Sequence, residues 1–318
     1  VLIDVQGQPE GTIFLRRIVD RRSSPPLMLV GEEGVGRRFS VVQAAKEIFC
    51  QGTRTSDCRC SDCYQVDQGI HQDIVHISAP SDKEIGVDVV RQVVQQSYVS
   101  PSMAPIRFVI VDGAERLTVA AANALLKTLE EPPPTTRFFL LAESYDQVLP
   151  TIRSRCGRVA YHKLPESFVV STLSRFEKDS VKALVYGRIA EGSIGRAIRY
   201  WGSNRMKLRD QVCTLFEQCA NRDLSIVFSM IDEFDKDLSL ALRFMDHLIH
   251  DLLICQIDPC RVINQDVQGQ LDTMRTRSTN QDWIMLRASL KQVNERHATS
   301  YINLPFHVKS AFVSTFFS

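Results

Sequence analysis

Two groups of residues in this sequence have types and spacings suited to chemistry. Cys50, Cys58, Cys60 and Cys63 give the pattern C-x7-C-x-C-x2-C. Four thiolates satisfy a tetrahedral zinc ion at about 2.3 Å each, and a metal with four protein ligands has no open position, so the expected role is structural. Free thiols in a loop are the alternative, and His71 or His76 is a conceivable substitute ligand. The second group is Gly31-Glu32-Glu33-Gly34-Val35-Gly36, followed by Arg37-Arg38. A working phosphate loop reads G-x-x-x-x-G-K-[ST]: backbone N–H groups cradle phosphates, Lys pairs with the β/γ oxygens and the hydroxyl ligates Mg²⁺. Here Gly31, Gly34 and Gly36 keep the frame, while the two chemical positions are Arg37 and Arg38. Arg37 keeps a positive charge in a bulkier, forked form; Arg38 removes the hydroxyl and puts a cation where Mg²⁺ would sit.

A second loss accompanies the first. The apolar run at 107–111 ends in Asp112-Gly113-Ala114-Glu115. In a hydrolysing site this Asp lies near Mg²⁺ and a following Glu polarises the attacking water. Gly113 leaves that base position without a side chain, and Glu115 lies two residues further on. The loop and Asp112 therefore predict a degenerate nucleotide site that does not hydrolyse ATP; weak residual binding stays open.

The elements that must position these residues follow from periodicity. Leu27-Met28-Leu29-Val30 reads as a buried strand running into the loop, with a helix over 37–49. Strands are expected at 73–77, 107–111 and 138–142, and helices at 87–97 and 119–129, the latter stopped by Pro132-Pro133-Pro134. Strands alternating with helices predict an α/β domain with a parallel sheet. From about residue 164 the strand signal fades, and short helices are expected at 167–176, 181–190 and 195–201. Beyond Lys207, apolar residues recur at helical spacing, as in Leu208, Val212, Leu215, Phe216 and Cys219, and again from Trp283 to Val293. The expected organisation is a nucleotide-fold domain over 1–163 with the cysteine module (50–63) inserted, a small helical lid over 164–205, and an all-helical domain over 206–318. Residues 265–280, rich in Gln, Thr, Arg and Asn, read as the mobile connection; Trp201 and Trp283 read as packing residues, and Cys156, Cys213, Cys219, Cys255 and Cys260 as small hydrophobes.

Composition excludes several classes. Among 318 residues, 38 Lys+Arg face 37 Asp+Glu, a formal charge of +1. That leaves no basic excess for a self-sufficient nucleic-acid binder, and a DNA-binding module has only the cysteine group and scattered arginines in its favour. The apolar runs at 108–111 and 138–142 are too short to cross a bilayer, so no membrane association is expected. The stretch from Val1 to Val5 lacks the basic and apolar regions of a secretory signal. Nine cysteines, an odd count with four in one cluster, suit a local metal site in the cytoplasm better than a disulfide scaffold.

Three further segments carry a specific resemblance: Asp112-Gly113-Ala114-Glu115-Arg116-Leu117-Thr118, the run from Asn123 through Leu129-Glu130-Glu131 to Pro133, and Leu149-Pro150-Thr151-Ile152-Arg153-Ser154-Arg155-Cys156. Together they resemble the AAA+ clamp-loader subunits of bacterial DNA polymerase III, over roughly residues 10–200. The resemblance implies a P-loop nucleotide fold followed by a helical lid and a helical collar. It also implies assembly with gamma/tau and delta subunits, and action on the sliding clamp and primed DNA through that assembly. In the family the arginine of the Ser-Arg-Cys triplet, here Ser154, Arg155 and Cys156, completes the ATP site of a neighbouring subunit. A four-cysteine zinc module also belongs to the family, although its usual pair of C-x-x-C steps is one residue short here at Cys58-Arg59-Cys60. The family's ATPase type keeps Lys-Thr and Asp-Glu; Arg37, Arg38 and Gly113 place this chain with the non-hydrolysing, delta-prime type. The alternative is an ATP-hydrolysing gamma/tau-type subunit that tolerates the arginine. The sensor 2 stretch resembles Gly192-Ser193-Ile194-Gly195-Arg196-Ala197, with its arginine displaced by one position, about 100° around a helix.

Overall fold

The computed structural model describes residues 7–20, 25–55, 57–79, 83–234, 237–299 and 303–317; Val1 to Val5, read above for a secretory signal, lie outside them. The chain divides into two compact units, Val1–Phe168 with Gly192–Gly195, and Val169–Glu191 with Arg196–Ser318.

Five strands organise the first unit: β1 (Leu27–Val30), β2 (Ile74–Ser78), β3 (Arg107–Asp112), β4 (Thr136–Ala142) and β5 (Gly157–Ala160). Their order is β2-β3-β4-β1-β5 and each pairing is parallel. The helices of this unit are α1 (Pro9–Asp20), α2 (Arg37–Phe49), α3 (Ser61–Gln68), α4 (Val87–Ser97), α5 (Val119–Glu130) and α6 (Pro150–Arg153). A parallel sheet is covered on both faces, which is why its central strands read as unbroken apolar runs. Alternate side chains of those strands separate into two cores. Met28, Val30, Val109, Val111 and Leu140 pack with Val90, Val93, Leu125 and Leu129. Leu27, Leu29, Phe108, Ile110, Phe139 and Leu141 pack with Leu15, Val41, Ala44, Ala45 and Phe49. β1 lies between β4 and β5, so the loop that follows it opens at the carboxyl edge beside the ends of those two strands, where open α/β sheets place ligands.

The helical run continues with α7 (Glu166–Leu173), α8 (Ser180–Ile189), α9 (Ile194–Trp201), α10 (Arg205–Ala220), α11 (Leu224–Glu233), α12 (Leu238–Ile254), α13 (Gln268–Arg277), α14 (Asn280–Thr299) and α15 (Leu304–Phe316). An aromatic cluster fills the second unit: Trp283, fully buried, stacks on Phe216 at 5.2 Å between ring centroids and meets Phe316 edge-on at 5.0 Å. Trp201, expected to pack inside, is instead 41% exposed and touches only the rim ring of Phe176 at 5.8 Å among the ring contacts of the described residues. Cys213, Cys219 and Cys255 are buried, but Cys260 is exposed in the turn Pro259–Arg261, where no apolar neighbour spacing draws it inward. Residues 265–277 form a short turn and the helix α13, where their polarity led to the expectation of a connection. Leu271 and Met274, three apart, are buried under α13, and the forked guanidinium of Arg209 holds Asp266 at 2.9 and 2.7 Å. Among the described residues, no helix is long and apolar enough to cross a membrane.

Candidate functional site

The phosphate loop has its expected frame. Gly34 and Gly36 lie at φ +80° and +106°, and Gly36 caps α2, its carbonyl accepting from the Ser40 N–H at 2.9 Å and the Ser40 hydroxyl at 2.8 Å. At the two chemical positions Arg37 is buried and Arg38 exposed. Asp112 ends β3, with His76 Nε2 3.8 Å from Oδ2, beyond hydrogen-bond length. Burial pushes the Asp112 carboxyl up, but the His76 side chain and the charges of Arg37 and Arg38 outweigh it and hold the group below its usual range. The carboxylate that would serve Mg²⁺ is thus compensated by cations of its own chain.

At the base position a side chain would meet a neighbour. Gly113 sits at φ +89°, and a Cβ there would run into the guanidinium of Arg116. That guanidinium is anchored, with Nη1 donating to the Ala79 carbonyl at 2.6 Å and Nη2 to the Asp112 carbonyl at 3.3 Å. Glu115 lies in the turn Ala114–Arg116 and does not take over the position of Gly113. Arg116 was not singled out from sequence as an obstacle; its place three residues after Gly113 was the available signal.

A third element meets the loop from the segment 192–195. The Ser193 hydroxyl donates to the Glu33 carbonyl at 2.8 Å, and the Gly195 N–H to the Gly34 carbonyl at 2.9 Å. Arg196, one position on, is buried in the second unit, where Nη1 donates to the Ala190 carbonyl and Glu191 Oε2, both at 3.3 Å. The other oxygen of Glu191 lies 2.8 Å from His247 Nε2.

Arg155 follows α6, whose first turn Pro150 pre-organises, and precedes β5. Nε donates to Glu130 Oε1 at 2.7 Å, and Nη2 donates to the same oxygen. Nη1 donates to the Thr151 carbonyl at 2.9 Å and to Ser154 Oγ at 3.2 Å. Ser154 is exposed and Cys156 half-buried, the latter with burial pushing its thiol up to about 12. Glu130, within the segment that carries the resemblance, was not read as a partner of Arg155.

The four cysteines do come together. Cys50 caps the end of α2, Cys60 caps the start of α3, Cys63 lies in the first turn of α3, and Cys58 lies on the loop between them. The pair Lys46 Nζ to Asp67, at 3.0 and 2.9 Å, ties the two helices. All four sulfurs lie within 4.8 Å of one another; Cys50 Sγ is 3.5 Å from that of Cys58 and 4.0 Å from that of Cys60. A tetrahedron with legs of 2.3 Å has edges of about 3.8 Å, so the donor set fits a thiolate-bound metal such as zinc and the short step is accommodated. A backbone hydrogen bond from Cys60, with Thr53 and Cys50, lowers the Cys58 thiol to about 6, and burial raises that of Cys63. His71 is not a substitute ligand: its Nδ1 accepts from the Asp73 N–H at 3.1 Å and Nε2 faces Asp62 at 3.5 Å. His76 stands beside Asp112 and is likewise outside the cluster.

Comparison with known proteins fits this combination. A family model described as DNA polymerase III, delta subunit, matches residues 8–165. The chain is 30% identical over 254 residues to DNA polymerase III subunit delta' of Escherichia coli K12, covering 78% of this chain and 75% of that protein. The chain belongs to the delta' family of DNA polymerase III. It is also 39% identical over 131 residues to the delta' subunit of Haemophilus influenzae, covering 41% of this chain and 40% of that protein. A gamma subunit of Buchnera aphidicola is 30% identical over 181 residues, covering 54% and 49% respectively. The parallel sheet carries its glycine loop directly after β1, and in this delta' family member Arg37 and Arg38 occupy the two positions that follow the loop.

Proposed function

We propose that this chain is the non-hydrolysing, delta'-type subunit of a bacterial clamp loader, which joins gamma/tau and delta subunits and provides Arg155 to the ATP site of a neighbour. The observation that supports the reading is which residues stand at the chemical positions of its own loop. Arg37 and Arg38 stand at the Lys and Ser/Thr positions, and the Arg116 guanidinium fills the space a base at 113 would need. A subunit that cannot turn over ATP contributes to a loader through its surfaces, and Arg155 is the residue equipped to do so: a planar, permanently charged guanidinium suits the γ-phosphate charge of a partner's nucleotide. In this reading residues 164–205 act as the lid and 206–318 as the collar that meets other subunits. The four cysteines hold zinc as a structural staple, and clamp and primed DNA are engaged through the assembly, in the cytoplasm.

The test is reconstitution with untagged partner subunits. The isolated chain is expected to release no phosphate from ATP, and Arg155→Ala is expected to fold and assemble normally while lowering the DNA-stimulated ATPase of the complex by ten-fold or more, as loss of a transition-state arginine does. Undiminished ATPase in a complex shown to contain the variant would refute the trans role, and turnover by the isolated chain would favour the gamma/tau-type alternative.

A further inference from the structure

We propose that Glu130 is a positioning residue for Arg155: it parks the guanidinium on its own chain, and ATP in the neighbouring subunit must draw the arginine away from it. The proposal rests on the trans role given above. Its starting point is that Arg155 is not presented to solvent as a free cation. Nε and Nη2 both donate to Glu130 Oε1, while Nη1 is shared between the Thr151 carbonyl and Ser154 Oγ. Four of the five N–H groups of a guanidinium are therefore engaged within the chain.

Helix stability does not account for Glu130. It is the last residue of α5, where the helix dipole disfavours an acid, and Glu131 follows it before the prolines. A carboxylate in that place gains from a cation, and Arg155 is the cation it meets. The arrangement is also reversible. The side chains of Arg155 and Glu130 are 29% and 49% exposed, so water and a docking surface reach both. Exposed ion pairs hold their partners by a factor of about two to five at most. A terminal phosphate, with more charge and three acceptor oxygens, competes well against one carboxylate for a forked guanidinium. The pair is strong enough to choose where the arginine rests in the free chain and weak enough to be exchanged.

The consequence is a ground-state effect. Removing the charge of Glu130 frees Arg155 before ATP arrives, so ATP binding no longer includes the exchange, whereas the contact made in the transition state is unchanged. In the reconstituted complex, Glu130→Gln is expected to lower the KM for ATP about two- to five-fold with kcat unchanged, and the shift is expected to shrink as salt screens the pair. Glu130→Asp, which restores the charge, is expected to return KM toward the original value. In an Arg155→Ala background, Glu130→Gln is expected to change nothing. An unmoved or raised KM for Glu130→Gln, or an equal shift in the Arg155→Ala background, overturns the proposal while leaving the trans role standing. If Arg155→Ala alone leaves the ATPase intact, both readings fail together.

Discussion

Gly195 lies against Gly34 backbone to backbone: the Gly195 N–H donates to the Gly34 carbonyl at 2.9 Å, and a Cβ on Gly195 would stand 2.8 Å from the Gly34 Cα. No side chain flexes in this contact, so neither partner yields cheaply. The segment 192–195 thus braces the phosphate loop by its backbone, with Ser193 holding Glu33 beside it. Gly195→Ala is expected to cost about 1–3 kcal/mol by overpacking. Urea unfolding of the variant checks this, and an unchanged midpoint and slope would show that the contact relaxes freely.

Gly113 and Arg116 make a second prediction about the same site. A reversion of the obvious chemical losses, Arg37→Lys with Arg38→Thr and Gly113→Glu, is expected to leave the isolated chain without ATP turnover. Glutamate at 113 would adopt a left-handed conformation at a cost of about 1–2 kcal/mol and would displace the anchored Arg116 guanidinium. The triple variant is therefore also expected to be less stable. Phosphate release above background from this variant would show that a glutamate at 113 and the Arg116 guanidinium can coexist in a working site.

How far these features were legible in the sequence depends on the range of the interaction that makes them. The central strands were readable because burial on both faces writes an unbroken apolar run, and the phosphate loop because its glycines have a fixed spacing. β5 was missed since Gly157-Arg158-Val159-Ala160 is an edge strand with only Val159 buried, and α3 because it is short and presents few apolar residues. β4 begins at Thr136, two residues before the apolar run, because the Thr136 hydroxyl has a buried acceptor in the Ser97 carbonyl at 2.7 Å. The cysteines announced their grouping by proximity along the chain. Glu130 and Arg155 are 25 residues apart and Gly34 and Gly195 lie far further apart along the chain, and no local pattern encodes such pairs.

Cys50, Cys58, Cys60 and Cys63 predict a metal content that can be measured directly. Freshly purified, reduced protein is expected to carry one zinc per chain by elemental analysis, and Cys50→Ser to lose it. Zinc bound to the native state alone stabilises by mass action, about 4 kcal/mol when free zinc exceeds its dissociation constant a thousand-fold. Chelation is therefore expected to lower the thermal midpoint of the parent chain and to leave that of Cys50→Ser unmoved. Since thiolates bind the metal, zinc is also expected to leave as the pH falls. Reduced protein that contains no zinc and does not respond to added zinc would exclude the module.

Asp73 is the buried charge on which the approach to β3 depends, and its pH dependence has a definite sign. Its carboxylate is fully buried; Oδ1 accepts from the Ser102 N–H at 2.8 Å and from Arg107 Nη2 at 3.1 Å, and Oδ2 from the Met103 and Ala104 N–H groups at 2.8 and 2.9 Å. Burial pushes its pKa up, but the three N–H groups and Arg107 together bring it below the ordinary carboxylate value. A carboxyl group depressed in the folded state contributes its full stability above the unfolded value, about 3.9, and loses it as the pH drops through the folded one. Asp73→Asn, which leaves the buried Arg107 guanidinium without its anion, is expected to cost about 3–5 kcal/mol at pH 7. The deficit is expected to narrow from about pH 4 downward, where the parent's own carboxylate becomes protonated and resembles the amide. Urea titrations of both proteins at pH 7 and at progressively lower pH measure that difference, and a deficit that stays constant into the acid range would contradict the assignment of the charge to Asp73.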